Sequence, residues 1–141
     1  MVIRDWSSDV CSSDLPILQH AWAVTGGNTP DHSTAESVAA LARRHPSLKL
    51  VMAHIAGVGP RGVNAVADCP NIRVDTSGGQ PLAGVVACAI ARLGAGRVLF
   101  GTDYPVREFA VKRRHVETQI PDAADRRAVF CDNAKLLWKL P

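Results

Sequence analysis

The sequence has few aromatic residues and no long apolar run. Of its 141 residues, one is Tyr, three are Phe and three are Trp, which is too few for the base-stacking platforms of single-strand binders. The net charge is only +3, and the basic residues are scattered over predicted helices instead of forming one patch. No apolar stretch approaches the roughly 20 residues that a membrane helix needs. We therefore expect no nucleic-acid partner and no membrane span.

The four cysteines do not occur in a pattern that points to chemistry. Cys11, Cys69, Cys88 and Cys131 form no C-x-x-C pair, so their spacing indicates neither a zinc knuckle nor a redox motif. A disulfide scaffold requires denser cysteines in a shorter chain. The N-terminal residues lack the apolar stretch of a signal peptide. We expect reduced thiols and a cytoplasmic protein.

The first fifteen residues, MVIRDWSSDVCSSDL, have neither helical nor strand periodicity. With suitable codons, Asp5 to Leu15 can be back-translated into a string that resembles a common short-read sequencing adapter. A disordered polar tail is the alternative. We predict that residues 1–15 are a non-native segment, which is left out of the fold argument. The native sequence is then expected to begin near Pro16, inside a gene.

The remaining residues alternate between apolar runs and helical patterns. Strands are predicted at 16–20, 48–54, 71–76 and 97–103. Helices are predicted from the capping-box segment 33–36 to about 45, and at 61–69, 82–93, 107–118 and 122–138, the last with a break near 131–133. The spacing of Ser33 and Glu36 predicts a capping box for the first helix. Continuous apolar strands are typical of a parallel sheet covered by helices. Both a doubly wound sheet and part of a (β/α)₈ barrel fit this pattern.

Three polar side chains, His20, His54 and Asp103, stand at the C-terminal ends of predicted strands. In both candidate folds this end of the sheet carries function, and parallel strands bring such residues together. Imidazole nitrogens and a carboxylate oxygen are ligands of zinc and related divalent ions. A carboxylate beside such a site can also accept a proton. The sequence therefore predicts a metal site at this edge.

Other residues are weaker candidates. The loop that begins at Gly57 either cradles an anion or is a plain tight turn, which Pro60 favours because it lacks a donor N–H. Arg61 is a candidate partner for a substrate carboxylate. Trp22 either lines the pocket or packs at the rim of the core. Two further residues at the end of the third strand, Thr76 and Ser77, are candidates for substrate contact, whereas His115 is expected to be solvated.

Four segments carry a resemblance to a known family. They are Q-H-A-W at 19–22, M-A-H-I-A-G at 52–57, F-G-T-D-Y-P at 100–105 and N-A-K-L-L at 133–137. In this order they resemble the amidohydrolase superfamily, and the amidohydrolase-related branch that also contains decarboxylases is the most similar. The resemblance covers Pro16 to the C-terminus. It implies a partial TIM barrel, with strands five to eight, in a C-terminal half-domain at 16–141.

The resemblance also implies roles for single residues. His20 matches a metal ligand, His54 matches a histidine that polarises substrate or water, and Asp103 matches an aspartate that binds metal and shuttles a proton. The implied cofactor is a divalent metal, zinc being the first expectation, and the implied partner is a small-molecule substrate, a carboxylate among the candidates. The parent protein could be a homo-oligomer. The family's H-x-H pair is absent, since this sequence contains no H-x-H.

Three functions stay open at this point. The first is a hydrolase in which a metal-activated water attacks an amide, ester or lactone, Asp103 takes the proton and His54 stabilises the developing charge. The second is a non-oxidative decarboxylase that uses the same site. The third is a half-barrel without activity, because two protein ligands seldom hold zinc well.

Overall fold

The strands form one parallel sheet. The computed structural model describes residues 15–23, 32–57, 59–79 and 82–141. Strands β1 (Ile17–Gln19), β2 (Leu50–Met52), β3 (Ile72–Asp75) and β4 (Val98–Leu99) pair in the order β1-β2-β3-β4, every neighbour parallel. A doubly wound sheet reverses its strand order, whereas a barrel wall keeps the order of the sequence. The sheet is therefore part of a (β/α)₈ barrel.

Helices separate the strands and follow the last one. Their bounds are α1 (Ala35–Arg44), α2 (Pro60–Ala65), α3 (Val85–Leu93), α4 (Phe109–Thr118), α5 (Ala123–Arg127) and α6 (Asn133–Trp138). A π-helical turn, Ala128–Asp132, joins α5 to α6 and corresponds to the break that the sequence predicts near 131–133. Gly94 ends α3 as expected. Among the described helices, none has the length and apolarity that a bilayer crossing requires.

The capping box of α1 lies one residue later than predicted. Thr34, not Ser33, is the N-cap, and its Oγ1 accepts from the backbone N–H of Ser37 at 3.3 Å. In return, the Ser37 hydroxyl oxygen accepts from the Thr34 N–H at 2.9 Å. Ser33 instead accepts a hydrogen bond from the Gln19 amide at 3.1 Å. The prediction missed this pair because Ser is a rarer partner at that position than Glu.

Two strands are shorter than the apolar runs that predict them. β2 stops at Met52, and the chain turns through a 3₁₀ segment, Ala53–Ala56. β4 stops at Leu99, after which the Phe100 N–H donates to the Val129 carbonyl at 3.0 Å instead of to β3. An apolar run therefore marks burial at the sheet, and the strand itself ends earlier.

The two faces of the sheet pack against different partners. Leu50 and Met52 point to the main core, which lies under α1, α2 and α3. Val51 points to the opposite face, where it packs with Leu99 and with Leu137 of α6. All three residues of β2 are buried, and full burial of one such side chain contributes about 1.5–3 kcal/mol. β2 is thus an interior strand of the described sheet, with buried side chains on both faces.

Polar side chains tie together the N-terminal edge of the sheet. Arg97 donates to four backbone carbonyls, those of Val66, Ala67, Cys69 and Ile72, at 2.7–3.2 Å. Asn71 Nδ2 donates to three carbonyls in and after α1, and buried Asn133 donates to Ala95 and Val98. These bonds satisfy carbonyls that no strand partner reaches. We therefore assign this edge a structural role.

Candidate functional site

A chain of four hydrogen-bonded side chains lies at the C-terminal edge of β1, β2 and β3. His20 Nδ1 lies 3.0 Å from His54 Nε2, and the other ring nitrogen of His54, Nδ1, lies 2.9 Å from the Ser77 hydroxyl oxygen. The Ser77 hydroxyl in turn donates to Asp75 Oδ1. Exposure falls along the chain, because His20 is exposed and Asp75 is buried. The network thus links a solvent-facing imidazole to a buried carboxyl group.

The backbone at His54 is held in an unusual conformation. His54 and the β-branched Ile55 have φ of 66° and 48°, a left-handed region that costs a non-glycine residue about 1–2 kcal/mol. The His54 N–H donates to Asp75 Oδ1 at 3.0 Å, and the Ser77 N–H donates to the same oxygen at 2.9 Å. A hydrogen bond to a charged group contributes about 1.5–3 kcal/mol. These bonds can offset the strain and aim the His54 ring out of the strand.

Trp22 and two glycines enclose the His54 ring. The Trp22 and His54 rings meet edge to face, with centroids 5.8 Å apart. A Cβ at Gly57 would lie 2.7 Å from the Trp22 ring, and a Cβ at Gly78 would lie 2.2 Å from His54 Nδ1. Neither glycine can therefore be replaced without moving a ring. Trp22 thus lies beside His54, and its predicted role in lining the substrate pocket stays a prediction.

A small cavity of about 20 Å³, room for about one water, lies beside His54 and is lined by two titratable side chains of α4, Lys112 and His115. Lys112 is 6 % exposed, and its ammonium donates to the Gly78 carbonyl at 2.8 Å. Burial, and then Arg107, lower the pKa of Lys112, against the opposing effect of Asp75 and Asp103. His115, predicted to be solvated, lines this cavity instead, and its pKa is lowered by burial and by Lys112.

Among the described residues, neither Asp103 nor Arg61 is hydrogen-bonded to His20 or His54. Asp103 is half-buried with φ of 68°, and within the described residues its carboxylate makes no hydrogen bond. Its charge nevertheless acts on Lys112. Arg61 is exposed and donates to Glu36 at 2.9 Å, and it is not among the residues that line the cavity. The role of Arg61 in substrate binding therefore stays an untested prediction.

The donor set does not by itself fit a resident metal ion. Within residues 15–23, 32–57, 59–79 and 82–141, no group of three His, Cys, Asp or Glu side chains is placed to hold one. Catalytic zinc sites take three protein ligands. Here His20 and His54 share a hydrogen bond, and Asp103 does not join them in a three-ligand group. The metal role predicted for His20 and Asp103 therefore requires a ligand from elsewhere.

Three features of the site were missed by the sequence argument. Asp75 ends an apolar strand just as His20 does, so the same rule could have found it. Ser77 was considered only as a substrate contact, because its bonds to His54 and Asp75 depend on the fold of the loop. Lys112 stands in a run of basic residues, K-R-R at 112–114, where nothing local distinguishes the buried cation from its solvated neighbours.

Several solved structures share this fold. A dihydroxybenzoic acid decarboxylase from a Polaromonas species, with bound manganese and 2-nitroresorcinol, matches with TM-score 0.67 at 20 % identity, over 95 % of this chain and 52 % of that one. A zinc-bound amidohydrolase from Burkholderia multivorans matches with TM-score 0.61 at 21 % identity, over 76 % and 49 %. A protein assigned as a 2-pyrone-4,6-dicarboxylic acid hydrolase from Pseudomonas putida matches with TM-score 0.66 at 19 % identity, over 89 % and 63 %.

These similarities establish the barrel fold, and the chain spans roughly half to two-thirds of the length of those structures. No curated protein matches the chain. A family model described as amidohydrolase matches residues 3–140. That range includes most of the segment predicted to be non-native, whose first fourteen residues lie outside the described ones, so this prediction stays untested. Because the match spans nearly the whole sequence, the chain belongs to the amidohydrolase family.

Proposed function

We propose that this chain contributes His54 and Asp103 as catalytic residues, and His20 as a metal ligand, to a hydrolase that attacks an amide, ester or lactone bond. The observation that carries the proposal is the hydrogen-bonded placement of both ring nitrogens of His54 at the C-terminal edge of the sheet. In barrels of this type, active sites lie at that edge. A ring held on both sides is also what a proton-transfer group requires.

Each residue has a task that its surroundings support. Asp103 can accept a proton from the attacking water, because its half-buried carboxylate has no hydrogen bond among the described residues. His54 exchanges a proton or a hydrogen bond at Nε2, the ring atom that faces His20. Trp22 covers one side of the His54 ring and can pack against a flat substrate.

The proposal assigns the cofactor and partner as follows. The cofactor is a divalent metal, zinc by first expectation, because two similar structures bind manganese or zinc. The remaining ligands of this metal have to come from outside the described residues, which contain no three-ligand group. The substrate is a small carboxylate, in keeping with the dihydroxybenzoic acid and pyrone dicarboxylic acid in the names of two similar structures. The four described strands would correspond to strands five to eight of a complete barrel. The proposed location of the protein is the cytoplasm.

A decarboxylase is the second candidate. The solved dihydroxybenzoic acid decarboxylase matches 95 % of this chain, against 89 % for the pyrone dicarboxylic acid hydrolase. The same histidine pair would then act on the substrate ring while carbon dioxide leaves. The difference in coverage favours neither chemistry strongly, so the substrate assay must decide.

The third candidate is a half-barrel without activity of its own. Leu18 lies on the outer strand β1 and is 62 % exposed, although it stands in register with buried Val51. An exposed apolar strand edge of this kind invites pairing with another chain. For the isolated chain, we expect no measurable turnover.

The test uses the complete enzyme, in which this chain is joined to the rest of its barrel. Lactones and aromatic carboxylic acids are offered in parallel, and ring-opened acid is measured separately from released carbon dioxide. We expect His54→Asn to lower kcat/KM by about 10²–10⁴-fold, the usual contribution of a general acid or base. The matched control is His45→Asn, because His45 is exposed beyond the end of α1. Full activity of His54→Asn on both substrates would refute the proposal.

A further inference from the structure

Asp75 and Ser77 form a hydrogen-bonded pair beside Nδ1 of His54. Asp75 Oδ1 accepts three hydrogen bonds, from the N–H groups of His54 and Ser77 and from the Ser77 hydroxyl. A serine hydroxyl has one proton to donate, and here that proton points to Asp75. The Ser77 oxygen can therefore only accept from the second neighbour, His54 Nδ1, at 2.9 Å.

The consequence passes through both imidazoles. If His54 Nδ1 donates to Ser77, the neutral ring has its lone pair at Nε2. That lone pair faces His20 Nδ1 at 3.0 Å, so His20 Nδ1 must be the donor. The remaining nitrogen of His20, Nε2, then carries a lone pair on an exposed side chain. Each donor of the hydrogen-bonded series therefore points toward Asp75, and only the lone pair of His20 Nε2 faces the open edge.

We propose that Asp75 and Ser77 are positioning residues that hold neutral His54 as its Nδ1–H tautomer. His54 Nε2 then accepts from His20 Nδ1–H, and the open lone pair of the histidine pair lies at His20 Nε2. The hydrogen bond on one ring nitrogen sets the state of the other. In a free histidine side chain the proton lies mostly on Nε2, so the tautomer proposed here is one that the protein has to impose.

The inference rests on the proposed function of His54 and makes it more specific. In this tautomer, His54 Nε2 is a hydrogen-bond acceptor, and it accepts from His20 Nδ1. It can stabilise developing negative charge only after it has been protonated. The sequence predicts that His54 stabilises the developing charge, and the proposed tautomer adds the condition that Nε2 must first gain a proton. His20, for its part, presents Nε2 as the atom available to a cation.

Two other features support the hydrogen-bonded series His20–His54–Ser77–Asp75, here called the relay, without belonging to it. The Gly78 backbone lies against the His54 ring, since a Cβ there would meet Nδ1 at 2.2 Å. Lys112, buried in α4, holds the Gly78 carbonyl at 2.8 Å. Both contacts limit rotation of the ring away from Ser77. The relay is therefore enclosed on the side opposite His20.

The test is the tautomer itself, measured by long-range ¹H–¹⁵N NMR on the ¹⁵N-labelled chain at about pH 8.5, where histidines are normally neutral. We expect Nδ1–H for His54. For Ser77→Ala, we expect the ratio of Nδ1–H to Nε2–H to fall at least about fivefold, the effect of one ordinary hydrogen bond. Ser77→Thr keeps a hydroxyl and should restore the wild-type ratio, which a merely structural role would not predict.

Ser37→Ala is the matched control, because it removes a serine that bonds only within the cap of α1. It should leave His54 unchanged. If Ser77→Ala does not fold, Asp75→Asn keeps the size of the side chain and should also shift the ratio. Nε2–H in the wild type, or an unchanged ratio in the folded variants, would overturn the inference.

The two proposals can fail separately. The tautomer is measured without substrate, so a shifted ratio together with full activity of His54→Asn would refute only the function. A loss of activity in His54→Asn together with an unchanged ratio in Ser77→Ala would refute only the relay.

Discussion

The two edges of the sheet both carry polar networks, but the networks differ in kind. At the N-terminal edge, Arg97, Asn71 and Asn133 donate to backbone carbonyls. At the C-terminal edge, His20, His54 and Ser77 bond to one another and to Asp75. The first network has only one chemical state, because a guanidinium and an amide do not exchange protons near neutral pH. The second network consists of imidazole, hydroxyl and carboxyl groups, which can exchange protons.

The backbone shows the same contrast. At the C-terminal edge, His54, Ile55 and Asp103 adopt positive φ although none is glycine. No residue named in the N-terminal network does so. Strain that persists at a few residues commonly marks functional sites. The comparison therefore supports a structural role for the N-terminal edge and the site proposed above for the C-terminal edge.

Removing Arg97 should have the largest effect on stability. Arg97→Met removes the guanidinium donor from four carbonyls, of which those of Val66 and Cys69 keep a backbone N–H donor. We expect the free energy of unfolding to fall by about 2–4 kcal/mol. Urea denaturation followed by far-UV circular dichroism measures the change. The control Arg92→Met alters an exposed arginine of α3 and should cost less than about 0.5 kcal/mol. Equal losses of unfolding free energy in the two variants would contradict the structural role assigned to the N-terminal edge.

Alanine substitutions at two glycines are expected to have a smaller effect on stability, and their comparison separates steric crowding at the site from backbone strain. Gly78 and Gly84 both have positive φ, 66° and 74°, but only at Gly78 would a Cβ meet a neighbour, the His54 ring. Gly78→Ala should therefore cost about 1–3 kcal/mol more than Gly84→Ala, the usual range for overpacking. Only Gly78→Ala should shift the His54 NMR signals. If both variants leave His54 unchanged, the ring is not held as the structure indicates.

The sequence predicts the order of strands and helices because burial leaves a local signal. Apolar runs locate all four strands, and Gly94 ends α3 where expected. The ends are less predictable, because they depend on distant contacts. β2 stops at Met52 because Asp75, twenty-one residues later, binds the His54 N–H. β4 stops because Phe100 pairs with Val129 in the π-helical turn. Neither contact follows from propensity.

In the candidate site too, some residues could be predicted from the sequence and others could not. The rule that polar residues ending parallel strands converge places His20 and His54 together, and their N–N distance of 3.0 Å agrees with it. The rule did not anticipate that Asp103 would lack a place in a three-ligand group. It also gave no sign of Lys112, whose burial depends on how α4 packs over the 76–79 loop. The roles of these residues remain predictions until they are tested.

The central claim is that this chain holds part of a metal-dependent active site and not the whole of it. The most direct test measures zinc and manganese bound to the purified chain by elemental analysis after dialysis against each ion. The described donors form no three-ligand group, so the account predicts far less than one ion per chain. One tightly bound ion per chain, lost in His20→Ala, would contradict it and would show that the site is complete.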